Sequence, residues 1–154
     1  MTRTERKYVL DANLFIHAFR NPDANLALQR FHALFAPFEF LSAVVAQELR
    51  AGVRTMSDRR TLEKHVLTPF ARVGRIFAPS ASAWDESGDV LSELTRKEGL
   101  ESSRVTKAFG NDILLALSCR ESGMVLITEN TRDFERIALI APFTFIAPWP
   151  VPVV

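Results

Sequence analysis

The chain has 154 residues, of which 47% are hydrophobic and 24% are charged, and its formal net charge is +1. This composition excludes a disordered chain, which combines few apolar residues with a high net charge. The single cysteine, Cys119, excludes an internal disulfide framework and favours a reducing, cytoplasmic compartment. We expect one domain over residues 1–154, with a core at about 8–146 and an extended proline-rich tail at 147–154.

Two apolar segments near the ends of the chain do not predict a membrane anchor. Asp11 and Asn13 interrupt the apolar segment after the basic N-terminus, and no small-residue cleavage site follows them. Residues 137–154 carry no charge, but four prolines prevent a continuous helix there. We therefore expect no association with a membrane.

The first third of the chain alternates apolar runs with amphipathic segments. In chain order, the predicted elements are a strand at Tyr8–Leu10, a helix at Asn13–Arg20, a turn at Asn21–Asp23, a helix over Leu26–Phe35, a strand at Phe38–Leu41, and a helix capped by Ser42 that ends near Gly52.

The remainder continues this alternation. The predicted elements are a helix at Ser57–Phe70 stopped near Pro69, a strand at Arg75–Ala78, a helix opened by Ser80 or Ser82 and closed by Gly99, a break at Phe109–Asn111, a helix beginning at Asp112 and stopping at Gly123, a strand at Met124–Ile127, and a last strand at Thr144–Ile146. Strands that alternate with helices predict an α/β domain with a mainly parallel sheet.

Four acidic residues lie near the ends of predicted strands or on the helices beside them: Asp11, Glu48, Asp112 and Asp133. In parallel sheets, ligands bind at the carboxyl ends of the strands. Carboxylates that converge there repel one another, and a divalent cation offsets that repulsion. Oxygen ligands without a Cys or His cluster favour Mg²⁺ or Mn²⁺, ions that suit the hydrolysis of phosphodiesters.

Each of these acids also has an ordinary structural explanation. Asp11 would cap the helix that follows it, and Asp112 would be a first-turn acid favoured by the helix dipole. Glu48 would lie on a solvated helix face, and Asp133 would cap a turn before Phe134. The residues alone leave both interpretations open.

The basic residues are unevenly distributed. Seven of them lie between Arg50 and Arg75, against only Asp58 and Glu63. Such a stretch contacts phosphates in nucleic-acid-binding proteins, but it also occurs on solvated helix faces. Charge alone does not separate these two interpretations.

Four segments together resemble the PIN-domain ribonucleases, and within them the toxins of bacterial VapBC-type toxin–antitoxin pairs. The segments are YVLDANLFI, SAVVAQELRAG, NDILLALSCRESG and LITENTRDF. The resemblance extends from Tyr8 to about Ile146, although residues 56–107 match only in length and helical character. It implies a three-layer α/β/α fold around a mainly parallel central sheet.

The resemblance also implies a site. Asp11, Glu48, Asp112 and Asp133 would form an acidic quartet that holds Mg²⁺ or Mn²⁺. Asp11 and Asp112 would be direct ligands, and Asp133, or Glu48 through water, would complete the site or orient the attacking water. Three polar residues would hold the ligand side chains in place or position the phosphate: Asn13, Thr128 and Asn130.

The implied activity is cleavage of RNA, including structured RNAs such as transfer RNA, by water without a covalent enzyme intermediate. The implied partners are a second copy of the chain and a small antitoxin whose C-terminal segment crosses the acidic groove. Glu129 differs from the family pattern, in which relatives often carry a small or basic residue at this position. Either Asp133 or Glu129 would therefore be the fourth acid of the site, and the position of Asp133 before Phe134 favours Asp133. Glu39 remains an alternative to Glu48, although the helical context favours Glu48.

Two other functions are consistent with the same residues. A PIN-fold module that binds RNA or protein without cutting would not need the acidic set. A phosphatase or phosphoacceptor domain would use Asp11 as its nucleophile, but Asn13 replaces the second aspartate of that motif. Metal titration separates the binding module from the nuclease, and a trapped phosphoaspartate would identify the phosphatase.

Overall fold

The computed structural model describes residues 6–98 and 107–151. Its strands form a five-stranded sheet in which all pairs are parallel and the order is β3-β2-β1-β4-β5. The strands are β1 (Lys7–Leu10), β2 (Glu39–Ser42), β3 (Ile76–Phe77), β4 (Met124–Ile127) and β5 (Phe145–Ile146). The prediction of an α/β fold with a parallel sheet is confirmed.

Helices connect successive strands. They are α1 (Ala12–Arg20), α2 (Pro22–Phe35), α3 (Ala43–Gly52), α4 (Met56–Leu62), α5 (Thr68–Arg72), α6 (Ala81–Glu98), α7 (Lys107–Ser122) and α8 (Thr131–Ala138). A 3₁₀ turn at Ala36–Phe38 precedes β2, and a π-helical turn at Glu63–Leu67 joins α4 to α5. Among the residues described, none of the helices combines the length and apolar character needed to cross a bilayer.

The central strands are buried on both faces. Val9 and Leu10 of β1 and all four residues of β4 are inaccessible or nearly so. Because successive side chains of a strand point to opposite faces, helices must cover both sides of the sheet. The β4 sequence Met-Val-Leu-Ile, apolar at every position, is typical of such a strand.

The strand order reverses beside β1. The chain builds β1, β2 and β3 outward in one direction, and then crosses back to place β4 and β5 on the other side of β1. Connections on the two sides leave the sheet in opposite directions, which opens a crevice at the carboxyl ends of β1 and β4. Asp11, directly after β1, donates its N–H to the Ile127 carbonyl oxygen at 3.0 Å and so lies at this edge.

The start of α7 differs from the prediction. The helix begins at Lys107, so the predicted break at Phe109–Asn111 is wrong, and Asp112 lies in the second turn rather than at the start. Gly110 and Asn111 weaken a helix only modestly, and packing of the next eight buried residues outweighs that cost. Asp112 is therefore not a first-turn acid.

Two further predictions need correction. The predicted turn at Asn21–Asp23 is the beginning of α2, where the Asn21 side chain accepts from two N–H groups and Pro22 occupies the first position. The helix predicted to stop near Pro69 also continues past this residue. In the π turn before it, the Thr68 N–H donates to the Glu63 carbonyl oxygen, and the α-helix then extends to Arg72.

Three boundary predictions have mixed outcomes. The cap at Ser42 is confirmed, since its hydroxyl accepts from the Val44 N–H at 3.1 Å. Ser80 rather than Ser82 opens α6, because its hydroxyl accepts from the Ala83 N–H at 3.1 Å. The predicted stop at Gly99 lies outside the described residues.

Candidate active site

Asp11 is the N-cap of α1 and also lies at the carboxyl edge of the sheet. The Ala12 N–H donates to its Oδ1 at 2.8 Å, and the Thr128 hydroxyl donates to its Oδ2 at 2.7 Å. Burial raises the pKa of this carboxyl, and these two hydrogen bonds oppose the rise. The Asp11 side chain is thus both the helix cap and the candidate metal ligand, and hydrogen bonds to its two oxygens fix its orientation.

Asp112 is carried by the most buried helix of the fold. Residues from Asp112 to Cys119 are all buried, so this carboxyl has little access to water. Burial, followed by the charges of Asp11, Glu48 and Asp133 in that order, raises its pKa to about 8. The structure therefore brings the four predicted acids within electrostatic reach of one another.

Glu48 approaches the same crevice from α3. Burial and then the charge of Asp11 raise the pKa of Glu48 to about 7, while Asn111 and Lys107 lower it. Its Oε1 is buried and accepts no hydrogen bond from the described residues. A buried carboxylate oxygen without a partner is costly, so this atom is available to a ligand that the crevice would hold.

Asn130 connects the remaining acids. Its amide nitrogen lies 3.2 Å from Oδ2 of Asp133 and 3.5 Å from Oδ2 of Asp112. Its backbone N–H donates to the Thr128 hydroxyl at 2.9 Å, which links it to the loop after β4. Arg136 donates to Oδ1 of Asp133 at 3.1 Å. Asp133 is therefore balanced by one amide and one guanidinium.

Asn13 lies in the first turn of α1, two residues after Asp11. Its Oδ1 is buried and lacks a hydrogen-bond partner among the described residues. This is the second orphaned acceptor of the region, after Glu48, and both atoms are of the type that a hard cation or an ordered water would satisfy.

The carboxylate and amide oxygens of this site are the atom type that a hard divalent cation binds, although the side chains do not form a complete set of ligands. No three His, Cys, Asp or Glu side chains of residues 6–98 and 107–151 are grouped as a metal site would require. The candidate ligands are all oxygens, two of the carboxyls have strongly raised pKa values, and one carboxylate oxygen is orphaned. A cation would relieve the mutual repulsion and the missing partner together.

The two alternative acids are occupied elsewhere. Glu129 lies at the sheet edge, but its Oε2 is 2.8 Å from Nδ1 of His17, and both side chains are about half exposed. Glu39 begins β2 and so lies at the opposite, amino end of that strand, where its Oε2 is 2.5 Å from Nδ1 of His32. Neither carboxyl is among the groups that perturb Asp112.

Lys107 and Asn111 are site residues that the sequence reasoning missed. Both act on Glu48, and they are four residues apart, so they share one face at the start of α7. The spacing was visible in the sequence, but the break predicted across residues 109–111 concealed that both belong to a helix.

Comparison with known proteins adds a family and a fold. The PIN domain model matches residues 8–140. A protein of Shigella flexneri named tRNA(fMet)-specific endonuclease VapC is 29% identical over 132 residues, which cover 85% of this chain and 92% of that protein.

Solved structures agree with this comparison. DNA-bound VapBC from Salmonella typhimurium has a TM-score of 0.66 at 24% identity, over 92% of this chain and 98% of that one. FitAcB from Neisseria gonorrhoeae has a TM-score of 0.66 at 20% identity, over 94% and 99%. At these identities the likeness concerns the fold.

Proposed function

The chain belongs to the PIN domain family, and we propose that it is a divalent-metal-dependent endoribonuclease, the toxin of a toxin–antitoxin pair. The observation that carries this proposal is the coupling of Asp11, Glu48 and Asp112 at the carboxyl edge of the sheet. Folding such carboxylates together raises their pKa values and costs stability, which is typical of functional sites. The similarity to one protein named as an endonuclease supports the nuclease interpretation over an inert cluster.

The proposed ligand roles are those that the family resemblance implies, and the proximity of the four acids supports them. Asp11 and Asp112 would hold Mg²⁺ or Mn²⁺ directly, and Asp133 and Glu48 would contribute through water. When bound, such a cation lowers the pKa of the attacking water and offsets negative charge on the phosphoryl group. Its identity as Mg²⁺ or Mn²⁺ is part of the proposal.

Other residues of the site would orient the acids, accept a proton or position the phosphate. Thr128 fixes Asp11 by donating to Oδ2, and Asn130 holds Asp112 and Asp133 by one shared amide. Glu48, with a pKa near 7 and a free Oε1, is suited to accept a proton from water as the phosphodiester is cut. Asn13, beside Asp11, would position the phosphate through its side-chain amide.

The proposed partners are RNA, a small antitoxin and a second copy of the chain. The named function of the Shigella flexneri protein makes transfer RNA the first substrate to test. Similarity to VapBC and FitAcB supports an antitoxin partner, whose C-terminal segment would cross the acidic groove. Such a toxin would act on cytoplasmic RNA.

The test compares wild type with Asp11→Asn and Asp112→Asn on total RNA, with EDTA, Mg²⁺ or Mn²⁺, followed by sequencing of the RNA ends. Asp89→Asn is the matched control, since Asp89 is exposed on α6. We expect discrete cuts from wild type and the control only with metal. Cuts that survive in both site variants would refute the mechanism, and a folded wild type that binds RNA without cutting would favour a binding module.

A further inference from the structure

A pocket with three arginines lies between the end of α3 and α4. Its arginines are Arg50, Arg54 and Arg59, its apolar lining residues are Val53, Met56 and Leu62, and its volume is about 370 Å³. We name these six residues the arginine pocket. Small-molecule sites span roughly 300–1,000 Å³, so the pocket is large enough for a single nucleotide.

The charge of the pocket is largely uncompensated. Arg50 is paired with Glu63, but neither Arg54 nor Arg59 has an ion-pair partner within the described ranges 6–98 and 107–151. No carboxylate lines the pocket. Unpaired guanidinium groups present planar forks of N–H donors that match phosphate oxygens, and so they attract a polyanion.

The arginine pocket adjoins a cleft that reaches Glu48, one of the four acids of the candidate site. A second cleft of about 400 Å³ is lined by Glu48 and shares Val53, Arg54 and Leu62 with the pocket. Phe19, whose ring is about half exposed, also lines this cleft. Glu48 and the ring of Phe19 therefore border a cleft that shares part of its wall with the arginine pocket.

We propose that the arginine pocket is a subsite for the RNA nucleotide that flanks the scissile phosphate. The inference rests on the proposed nuclease function and adds where the substrate binds. Arg54 and Arg59 bind the flanking phosphodiester, and the side chains of Met56 and Val53 contact the face of its base. A nucleotide brings a phosphate for the arginines and a flat base for the apolar lining within one unit, so we commit to a nucleotide as the occupant and make an acidic polypeptide an outcome of the test.

Binding is measured first, without metal, so that no cleavage occurs. The probe is a short fluorescein-labelled single-stranded oligoribonucleotide of mixed sequence, titrated in EDTA at several salt concentrations. Arg54→Gln and Arg59→Gln are compared with Arg60→Gln, which removes the same charge from an exposed neighbour on α4 that lines neither cleft. Circular dichroism and thermal unfolding verify that all variants remain folded.

We expect each pocket variant to lower the slope of log affinity against log salt by about 0.7, the loss of one phosphate contact on a single strand. Arg60→Gln should leave the slope near the wild-type value. Equal slopes for pocket and control variants would overturn the proposal. So would competition by polyglutamate as effective as that by unlabelled RNA of the same length, since the pocket would then recognise charge alone.

Cleavage of transfer RNA with Mg²⁺ separates this inference from the function on which it rests. Arg54→Gln and Arg59→Gln should raise KM about 3- to 10-fold, the effect of one lost phosphate contact, and leave kcat close to wild type. Cleavage that is indifferent to both arginines refutes the subsite and leaves the nuclease intact. Arginine-dependent binding by a wild type that never cuts refutes the nuclease and keeps the site as an RNA-binding pocket.

Discussion

Asp112→Asn is expected to stabilise the metal-free protein at neutral pH. Burial, followed by the charges of Asp11 and Glu48, raises the pKa of Asp112 from 3.8 to about 8. The folded protein then keeps a proton that the unfolded chain loses near pH 4, so stability falls as pH rises from about 4 to about 8. Asparagine has almost the same shape and no proton to lose, and it removes this dependence.

The size of the effect follows from the two pKa values. At about 1.4 kcal/mol per pKa unit, the difference between 3.8 and about 8 corresponds to at most about 6 kcal/mol above pH 8. At pH 5 the same reasoning allows only about 1.5 kcal/mol. Because buried protein sites behave as if their dielectric constant were about 20, we expect a smaller gain, of about 2 kcal/mol at pH 8.

Urea unfolding in EDTA at pH 5 and pH 8 measures both points. Wild type, Asp112→Asn and the exposed control Asp89→Asn are unfolded in parallel. We expect the gap between Asp112→Asn and wild type to be larger at pH 8, with the control unchanged. A gap that does not grow with pH, or a variant less stable than wild type at pH 8, would refute the electrostatic reasoning. Excess Mg²⁺ should then stabilise wild type far more than Asp112→Asn.

Three further predictions concern the same edge of the sheet and the core behind it. Binding of Mg²⁺ at pH 7 should release about 1.4 protons, because Asp112 and Glu48, with pKa values near 8 and 7, are about nine-tenths and one-half protonated and both ionise on binding. Calorimetry in buffers of different ionisation enthalpy counts the protons released. Thr128→Val should weaken Mg²⁺ binding about 10- to 100-fold, because Asp11 loses the hydroxyl that orients Oδ2; an unchanged calorimetric Kd would contradict this. Phe134→Ala should cost about 3–5 kcal/mol in urea unfolding, because its ring is fully buried against two other phenylalanines; a loss below about 1 kcal/mol would mean that the site collapses without a cavity.

Local sequence determines the strands of this fold better than the starts of its helices. The strand Met124–Ile127 was predicted with the bounds that the structure has, since four apolar residues before a polar one are sufficient to mark a buried strand. The start of α7 was misplaced, because Gly110 and Asn111 have weak helix propensity. Their tertiary surroundings, which a local pattern does not contain, keep them helical.

The acids of the candidate site could be selected from the sequence, but their contacts could not. Asp11 and Asp133 follow strands, so their place at the sheet edge follows from topology once the strands are known. The hydrogen bond from Thr128 to Asp11 joins residues 117 positions apart, and it depends on β1 and β4 being neighbours. The amide of Asn130 between two carboxylates is likewise a consequence of how α7 and α8 pack.

The proposed function imposes two opposed electrostatic requirements, and α3 meets both. The site must stay acidic to attract a cation, yet the substrate is a polyanion that this acidity repels. Glu48 and Arg50 are two residues apart on α3, so they project from opposite sides of the helix and do not neutralise each other. Arg54, just beyond the end of α3, lines both clefts. If the proposed function holds, Arg54 attracts RNA beside the acidic residues without an ion pair that would neutralise them, and its loss should weaken RNA binding before it affects cleavage.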